Sequence, residues 1–351
     1  MKKYLMLLLF TSAFVFAQKP NTDRRYKEVA GRYGGNDGIC LFEDGKYMLY
    51  GYATAIFGTY TFEKDYINFY PDQQELFMIF GSQNPTIGNS ARLYFSGFER
   101  DGSFVSFDNE KAQPVFNEDA NCFASPYVYE TKTKPSQINL SGLVDGTLHQ
   151  SKFDIPKDYN DLIIVHNKPS RYEENFTGMV KSEGKSKILN ISMFDRDFKK
   201  NDEDKNDSNW KEILAMKNEY YQAEDNIKTG VFFNKHYQNF PTPENSAYTF
   251  DKKTNQFISK NVKDNEAHFR NDQYNDTRYL RKYLKIEGQT NVDKAFNKNS
   301  VATKSLFFTT CGEGSEKSYQ YKGYEEYENQ NKPEKRQPIK TLAPVAPAKK
   351  D

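Results

Sequence analysis

Hydrophobic and polar positions alternate with period two over much of residues 31–107, and turn signals interrupt the alternation at short intervals. Tyr60 and Phe62 alternate with Thr59 and Thr61, Ile67 and Phe69 flank Asn68, and Leu93 and Phe95 alternate with Arg92 and Ser96. Aromatic and β-branched residues at that spacing predict strands with one face on a core and one wetter face. Asp44-Gly45 separates the apolar runs 39–42 and 47–50. Asp-Gly supplies the positive φ angles of a primed turn, so a hairpin is predicted there. A second hairpin is predicted around Glu63-Lys64-Asp65, and further strands over 76–80, 92–98 and 104–107. Sequential hairpins favour an antiparallel meander that closes as a sandwich or a small barrel.

The polar segment 131–136 reads as a boundary, which gives an N-terminal antiparallel β module over 19–130 and a second β-rich domain over 137–328. In the second domain, strands are predicted over 138–143 and 147–155 around an Asp145-Gly146 turn. The run 161–167 reads as a buried strand. Residues 195–209 are nearly all charged or amide and read as a loop. Trp210, Ile213, Leu214 and Tyr221 share one side at helical spacing, so a helix is predicted near 210–224, capped by Ser208 or Asn209. Tyr279, Leu280, Tyr283 and Leu284 suggest another over 277–287, ending at Gly288. The Pro- and Lys-rich tail 329–351 reads as disordered. The expected fold class is mainly β, an antiparallel meander forming a sandwich or small barrel, followed by a second β-rich part with one or two α-helices.

Composition changes this picture in two ways. The 351 residues are only 37% hydrophobic but include 28 Phe and 25 Tyr, so large rings must supply much of the core. Each such ring can bury roughly 150–250 Å². The formal net charge is +1, which provides no domain-wide basic field and argues against nucleic acid as a partner.

Lys2 and Lys3 precede an apolar run over 4–17 that ends near Ala17, the pattern of a secretory signal peptide over 1–18. That run is short for a membrane span, so the mature chain is expected to be exported, to a periplasmic or extracellular location, without a transmembrane span. Export makes the three cysteines candidates for disulfides. Cys40 and Cys122 bracket the β module and are the expected pair, worth about 2–4 kcal/mol, with Cys311 left over.

Asp202, Asp204 and Asn206 begin like an EF-hand loop, but Asp207 replaces the turn glycine and Ile213 stands where the bidentate glutamate belongs. A looser Ca2+ site from Asp195, Asp197, Asp202 and Asp204 is the metal candidate, and no other cofactor is expected. The four histidines have no zinc-motif spacing. His166 ends an apolar strand and is the catalytic candidate, a general base if Asp161 or Asp195 lies beside it. Nucleophile and phosphate-loop motifs are absent, and glycine-rich 31–38 precedes a hairpin rather than a helix.

Tyr47, Tyr50, Tyr52, Tyr60 and Tyr94 are the candidate ligand-binding residues. Alternation cannot turn every ring inward, and an outward tyrosine row can stack on sugars or receive an apolar ligand or peptide strand. The reading leans towards an exported, non-enzymatic protein with a binding or structural role in the cell envelope or outside it. Its partner would be a glycan, an apolar ligand or an envelope protein. The alternatives are a secreted hydrolase of glycans or peptides and an assembly partner docking through an edge strand or the tail.

Overall fold

The computed structural model describes residues 23–321 apart from residues 53, 100–101, 145, 168–173, 185, 195, 202–207, 264, 293–300 and 313–317. The expected signal peptide and C-terminal tail lie outside the described residues. The chain divides into two interleaved compact units, residues 1–74 with 170–221, and 75–169 with 222–351. Residues 75–169 are thus inserted between the two halves of the first unit, and 222–351 follow its second half. The expected boundary at 131–136 falls inside the second unit, and the expected 19–130 module is shared between the two.

The first unit is an antiparallel sheet of eight strands. In order they are Gly31–Gly34, Gly38–Leu41, Lys46–Gly51, Thr54–Glu63, Tyr66–Pro71, Phe176–Glu183, Ser186–Ile191 and Arg196–Lys199. Its two ends meet: Tyr33 bridges Lys200, and Asn201 N donates to Arg32 O at 2.8 Å. The sheet is therefore a nearly closed barrel. Eight strands leave an interior wide enough for side chains or one small ligand. Here Tyr33, Tyr47, Tyr60, Phe69 and Phe176 fill it with Ile39, Leu41, Leu49 and Leu189. Two of the buried hydroxyls are satisfied by backbone carbonyls: Tyr33 Oη donates to Val29 O and Tyr60 Oη to Phe42 O, each at 2.8 Å. The short helix Arg24–Val29, capped by the Asp23 side chain, adds Tyr26 and Val29 to the same core.

The Asp44-Gly45 hairpin forms between Gly38–Leu41 and Lys46–Gly51, but through a longer loop than expected. Phe42 N donates to Lys46 O, so residues 43–45 make the turn. Only Gly45 there has a positive φ, 81°. A three-residue loop with one left-handed glycine twists with the strands as a primed turn does.

Along Gly38–Leu41, Ile39 and Leu41 point into the barrel while Cys40 points out. Cys40, Phe42, Met48 and Phe57 receive the apolar side of the long helix Ser208–Thr229, through Trp210, Ile213, Leu214, Tyr220 and Tyr221. Phe57 stacks on Tyr220 at 4.1 Å, and Lys46 Nζ sits 3.2 Å above the Tyr221 ring. The helix predicted over 210–224 is present, begins at Ser208 and runs to Thr229.

The second unit packs two sheets face to face. One includes Phe77–Ser82, Ala91–Ser96, Tyr127–Thr131, Asp161–His166 and Tyr279–Ile286; the other includes Ser103–Phe107, Gln137–Val144, Thr147–Asp154 and Gly288–Val292. Ile79, Leu93, Phe95, Leu162 and Ile164 meet Val105, Ile138, Leu140 and Phe153 in one core. Phe80, Tyr94, Ile163, Tyr237 and Tyr283 form a second cluster. Asp161–His166 pairs antiparallel with Phe77–Ser82 and parallel with Ala91–Ser96. Burial on both faces explains its unbroken apolar run.

The helix expected over 277–287 is instead the strand Tyr279–Ile286. Leu280 and Tyr283 are buried on it while Leu284 is exposed. Burial of successive residues on a strand imitates helical spacing, and pairing to Phe77–Ser82 decides the outcome. The six-residue helix Glu266–Asn271 precedes it.

The disulfide joins Cys122 to Cys311, not to Cys40. Cys40 is a buried thiol against the long helix, and it belongs to the first unit whereas Cys122 belongs to the second. The bridge ties a late segment to the sandwich. Phe307 N donates to Val115 O at 2.9 Å, and Tyr319 Oη donates to Val128 O at 2.6 Å.

Two measurements test this architecture. Non-reducing peptide mapping yields a Cys122–Cys311 peptide, and Cys311→Ser lowers the unfolding free energy in denaturant by about 2–5 kcal/mol. Tyr60→Phe costs about 1 kcal/mol through its lost hydrogen bond, whereas Tyr47→Phe is neutral or stabilising. Tyr47 Oη is buried without a hydrogen-bond partner among the described residues.

Candidate functional site

Two places in the fold concentrate polar chemistry. The first is a closed knot in the second unit around Asp161. Asn84 Nδ2 donates to its Oδ2 at 2.6 Å, Tyr237 Oη donates to its Oδ1 at 2.9 Å, and Arg281 Nη1 stands 3.4 Å from Oδ2. Tyr237 reaches it from a turn in which it takes a positive φ of 58°. Asn234 pins that turn: its Oδ1 accepts from His236 N and Gln238 N, and its Nδ2 donates to Tyr274 O and Asp276 O. Burial pushes the Asp161 carboxyl above the ordinary carboxylate range, against the opposing pull of Arg281. Asn84, Asp161, Tyr237 and Arg281 are each at most 6% exposed, so a substrate does not reach them. The knot braces the sandwich.

The second is the end of the barrel formed by the turns at 35–37, 52 and 192–194. The antiparallel meander brings these connections to the same end. Between them opens a cleft of about 580 Å³, lined by Tyr50, Tyr52, Phe194 and Phe198, with Leu49 towards the barrel core and Asn36 and Asp37 at the rim. Tyr52 is fully exposed. Tyr50 is fixed: its Oη accepts from Arg32 Nε at 2.8 Å and donates to Gly35 O at 3.2 Å. Arg196 pairs with Asp37 at 2.8 Å and lies over the Phe198 ring at 4.3 Å. The volume falls in the range of small-molecule sites, and barrel mouths are among the usual places for them. The cleft therefore offers a held ring, an open ring, and amide and carboxylate groups beside them.

The structure separates the tyrosines that the sequence grouped. Tyr47 and Tyr60 are core residues of the barrel, so they are withdrawn as ligand contacts. Tyr94 is buried in the second unit, stacked on Tyr237 at 4.8 Å, and is withdrawn as well. Tyr50 and Tyr52 remain, joined by Phe194 and Phe198. Those phenylalanines lie 142 or more positions away across the insertion, beyond the reach of local pattern reading, although the Phe-x-x-x-Phe spacing is present in the chain.

His166 does end its strand, but it is buried, packed on Phe77 at 4.8 Å and tilted against Phe98 at 5.2 Å. Asp161 occupies the opposite end of that strand, about 16 Å away at strand rise, so the proposed acid–base pair is not formed with it. Of the calcium candidates, Asp195, Asp202 and Asp204 lie outside the described residues. Asp197 sits exposed on Arg196–Lys199, where Asn190 Nδ2 donates to it at 2.9 Å. No metal-ligand cluster is present among the described residues, and no described helix is long and apolar enough to cross a membrane.

Comparison with protein-family models, with curated proteins and with solved structures returns no match. The cleft is therefore read from its chemistry alone.

The pinned turn beside the knot sets a pH dependence. Burial, assisted by Lys235, lowers the His236 pKa to about 4 from its ordinary 6.5. The unfolded chain then protonates first as pH falls, so stability is lost from about pH 6.5 down to about pH 4. His236→Gln flattens that limb in denaturant melts recorded against pH; an unchanged slope contradicts the assignment.

Proposed function

We propose that this is an exported, non-enzymatic binding protein whose barrel mouth holds a sugar ring of a glycan. The observation that carries the reading is the pairing of fixed Tyr50 and exposed Tyr52 with Asn36 and Asp37 around one cleft. Aromatic faces suit the apolar face of a sugar ring, and an amide with a carboxylate suits its hydroxyls. The filled barrel interior favours a ligand seated at the rim rather than a long apolar chain threaded inside. Export is supported by the leader pattern over 1–18 and by the Cys122–Cys311 bridge, since disulfides persist in oxidising compartments. The mature protein then works in the envelope or outside the cell.

A glycan array identifies the preferred ring, and calorimetry on the best binder measures affinity. Tyr52→Ala leaves the melting temperature unchanged, because the ring is exposed, and weakens binding by about tenfold, the size of one lost stacking contact. A blank array, or affinity that survives Tyr52→Ala, contradicts the proposal.

A further inference from the structure

The late segment of the second unit lies as a strap along its sandwich. The described parts of the strap are residues 301–312 and 318–321. Its inner end is seated by apolar packing. Leu306 N donates to Pro114 O at 2.8 Å and Phe307 N to Val115 O at 2.9 Å. The Phe307 ring is 2% exposed and packs in the core against Phe95, Phe116 and Tyr127. The outer end is held differently. Thr309 N donates to Asn117 Oδ1 at 2.8 Å and Cys311 N to Asn121 Oδ1 at 2.7 Å, beside the Cys122–Cys311 bridge. Such neutral hydrogen bonds add little net stability, because water offers both groups a partner in the open state. The covalent bond is therefore the strongest hold on this end. Residues 318 and 319 ride on it: Tyr319 N donates to Phe308 O at 2.8 Å and Ser318 Oγ to Thr310 O at 2.9 Å.

The outer end covers a strand edge. Tyr127–Thr131 is the terminal strand of its sheet and pairs on one side, with Ala91–Ser96. The Tyr319 hydroxyl accepts from Val128 N at 2.8 Å and donates to Val128 O at 2.6 Å. One side chain thus satisfies both main-chain groups of Val128, and an edge without such cover is a template for another strand. Cys311 is exposed and Cys122 half-buried, so a reductant meets the bridge in the folded protein.

We propose that the Cys122–Cys311 bridge is a redox latch on this strap. An external dithiol opens it, residues 308–312 and 318–319 lift while Phe307 stays seated, and the edge of Tyr127–Thr131 is bared. A thiolate of the dithiol attacks Cys311 Sγ, the S–S bond breaks, and Cys122 leaves as a thiolate that takes a proton from water. The second thiol of the dithiol then displaces Cys311, which is protonated in turn. The protein gains two electrons and two protons, and the dithiol ends as a cyclic disulfide. The latch does not depend on what the barrel mouth binds.

Amide hydrogen exchange of the full chain, before and after dithiothreitol, tests the latch. Alkylation of Cys122 and Cys311, located by peptide mass, confirms that the bridge is open. Opening the bridge lowers the stability of the whole unit, so the reading is the gap between strap and core amides in one state. With the bridge open, the Val128 and Thr309 amides exchange about tenfold or more faster than those of Phe307, Ile163 and Ile164, because the strap now opens locally. With the bridge closed, that gap is absent. Cys311→Ser reproduces the open pattern without reductant. Strap amides that keep pace with the core amides after reduction overturn the proposal, since the strap would then open only with the whole unit. The same gap in the bridged chain also overturns it, since the bridge would then restrain nothing.

Discussion

A sheet that closes on itself after eight strands encloses a volume it cannot adjust, and the rest of the first unit follows from how that volume is filled. This chain fills it with rings. Tyr33, Tyr47, Tyr60, Phe69 and Phe176 are among its buried side chains, and Phe69 meets Phe176 in a stack at 4.6 Å while Tyr47 approaches each edge-on. The low hydrophobic fraction is thus no obstacle to a core, because many inward positions carry a large ring. With the lumen packed, cavities of this unit open at the rim, beside Tyr50 and Tyr52, and on the outer wall, where one long helix leaves a slot beside Trp210.

The second unit solves a different problem. Its sheet containing Asp161–His166 is buried on both faces, so the polar groups inside it must be satisfied by one another. Asp161 takes hydrogen bonds from Asn84 and Tyr237 and faces Arg281, and Asn160 links to Asn84 through both its amide oxygen and its amide nitrogen. Removing one member leaves a buried charge without its counterpart, which is why such groups hold a register even where they add little net stability. The Cys122–Cys311 bridge secures the segment that closes this unit.

Much of the local structure was legible. Period-two alternation located the barrel strands over 46–71, Asp44-Gly45 located a hairpin, and the spacing of Trp210, Ile213, Leu214 and Tyr221 located the long helix and its packing face. The errors share a cause in long-range pairing. Tyr279–Ile286 looked helical because a strand buried on both faces loses its alternation. The Cys40–Cys122 pairing assumed one continuous module, whereas an insertion after residue 74 sends those cysteines to different units. At the site, outward tyrosines were foreseeable, but which of Tyr47, Tyr50, Tyr52, Tyr60 and Tyr94 point outward depends on strand phase and barrel closure. Tyr47 and Tyr60 share the inward phase with Leu49, and Tyr50 is one residue out of it. Phe194 and Phe198 join the cleft only because the last barrel strand returns beside the first.

The central claim of the proposal is that the barrel core is solid and that the glycan is held at its mouth rather than in its lumen. Site-specific ring labelling of the tyrosines, followed by nuclear magnetic resonance during titration with the glycan selected on the array, tests it most directly. The account predicts shifts at Tyr50 and Tyr52 with Tyr33, Tyr47 and Tyr60 unmoved. Shifts centred on the three inner rings would mean that the lumen opens to ligand, and would contradict it.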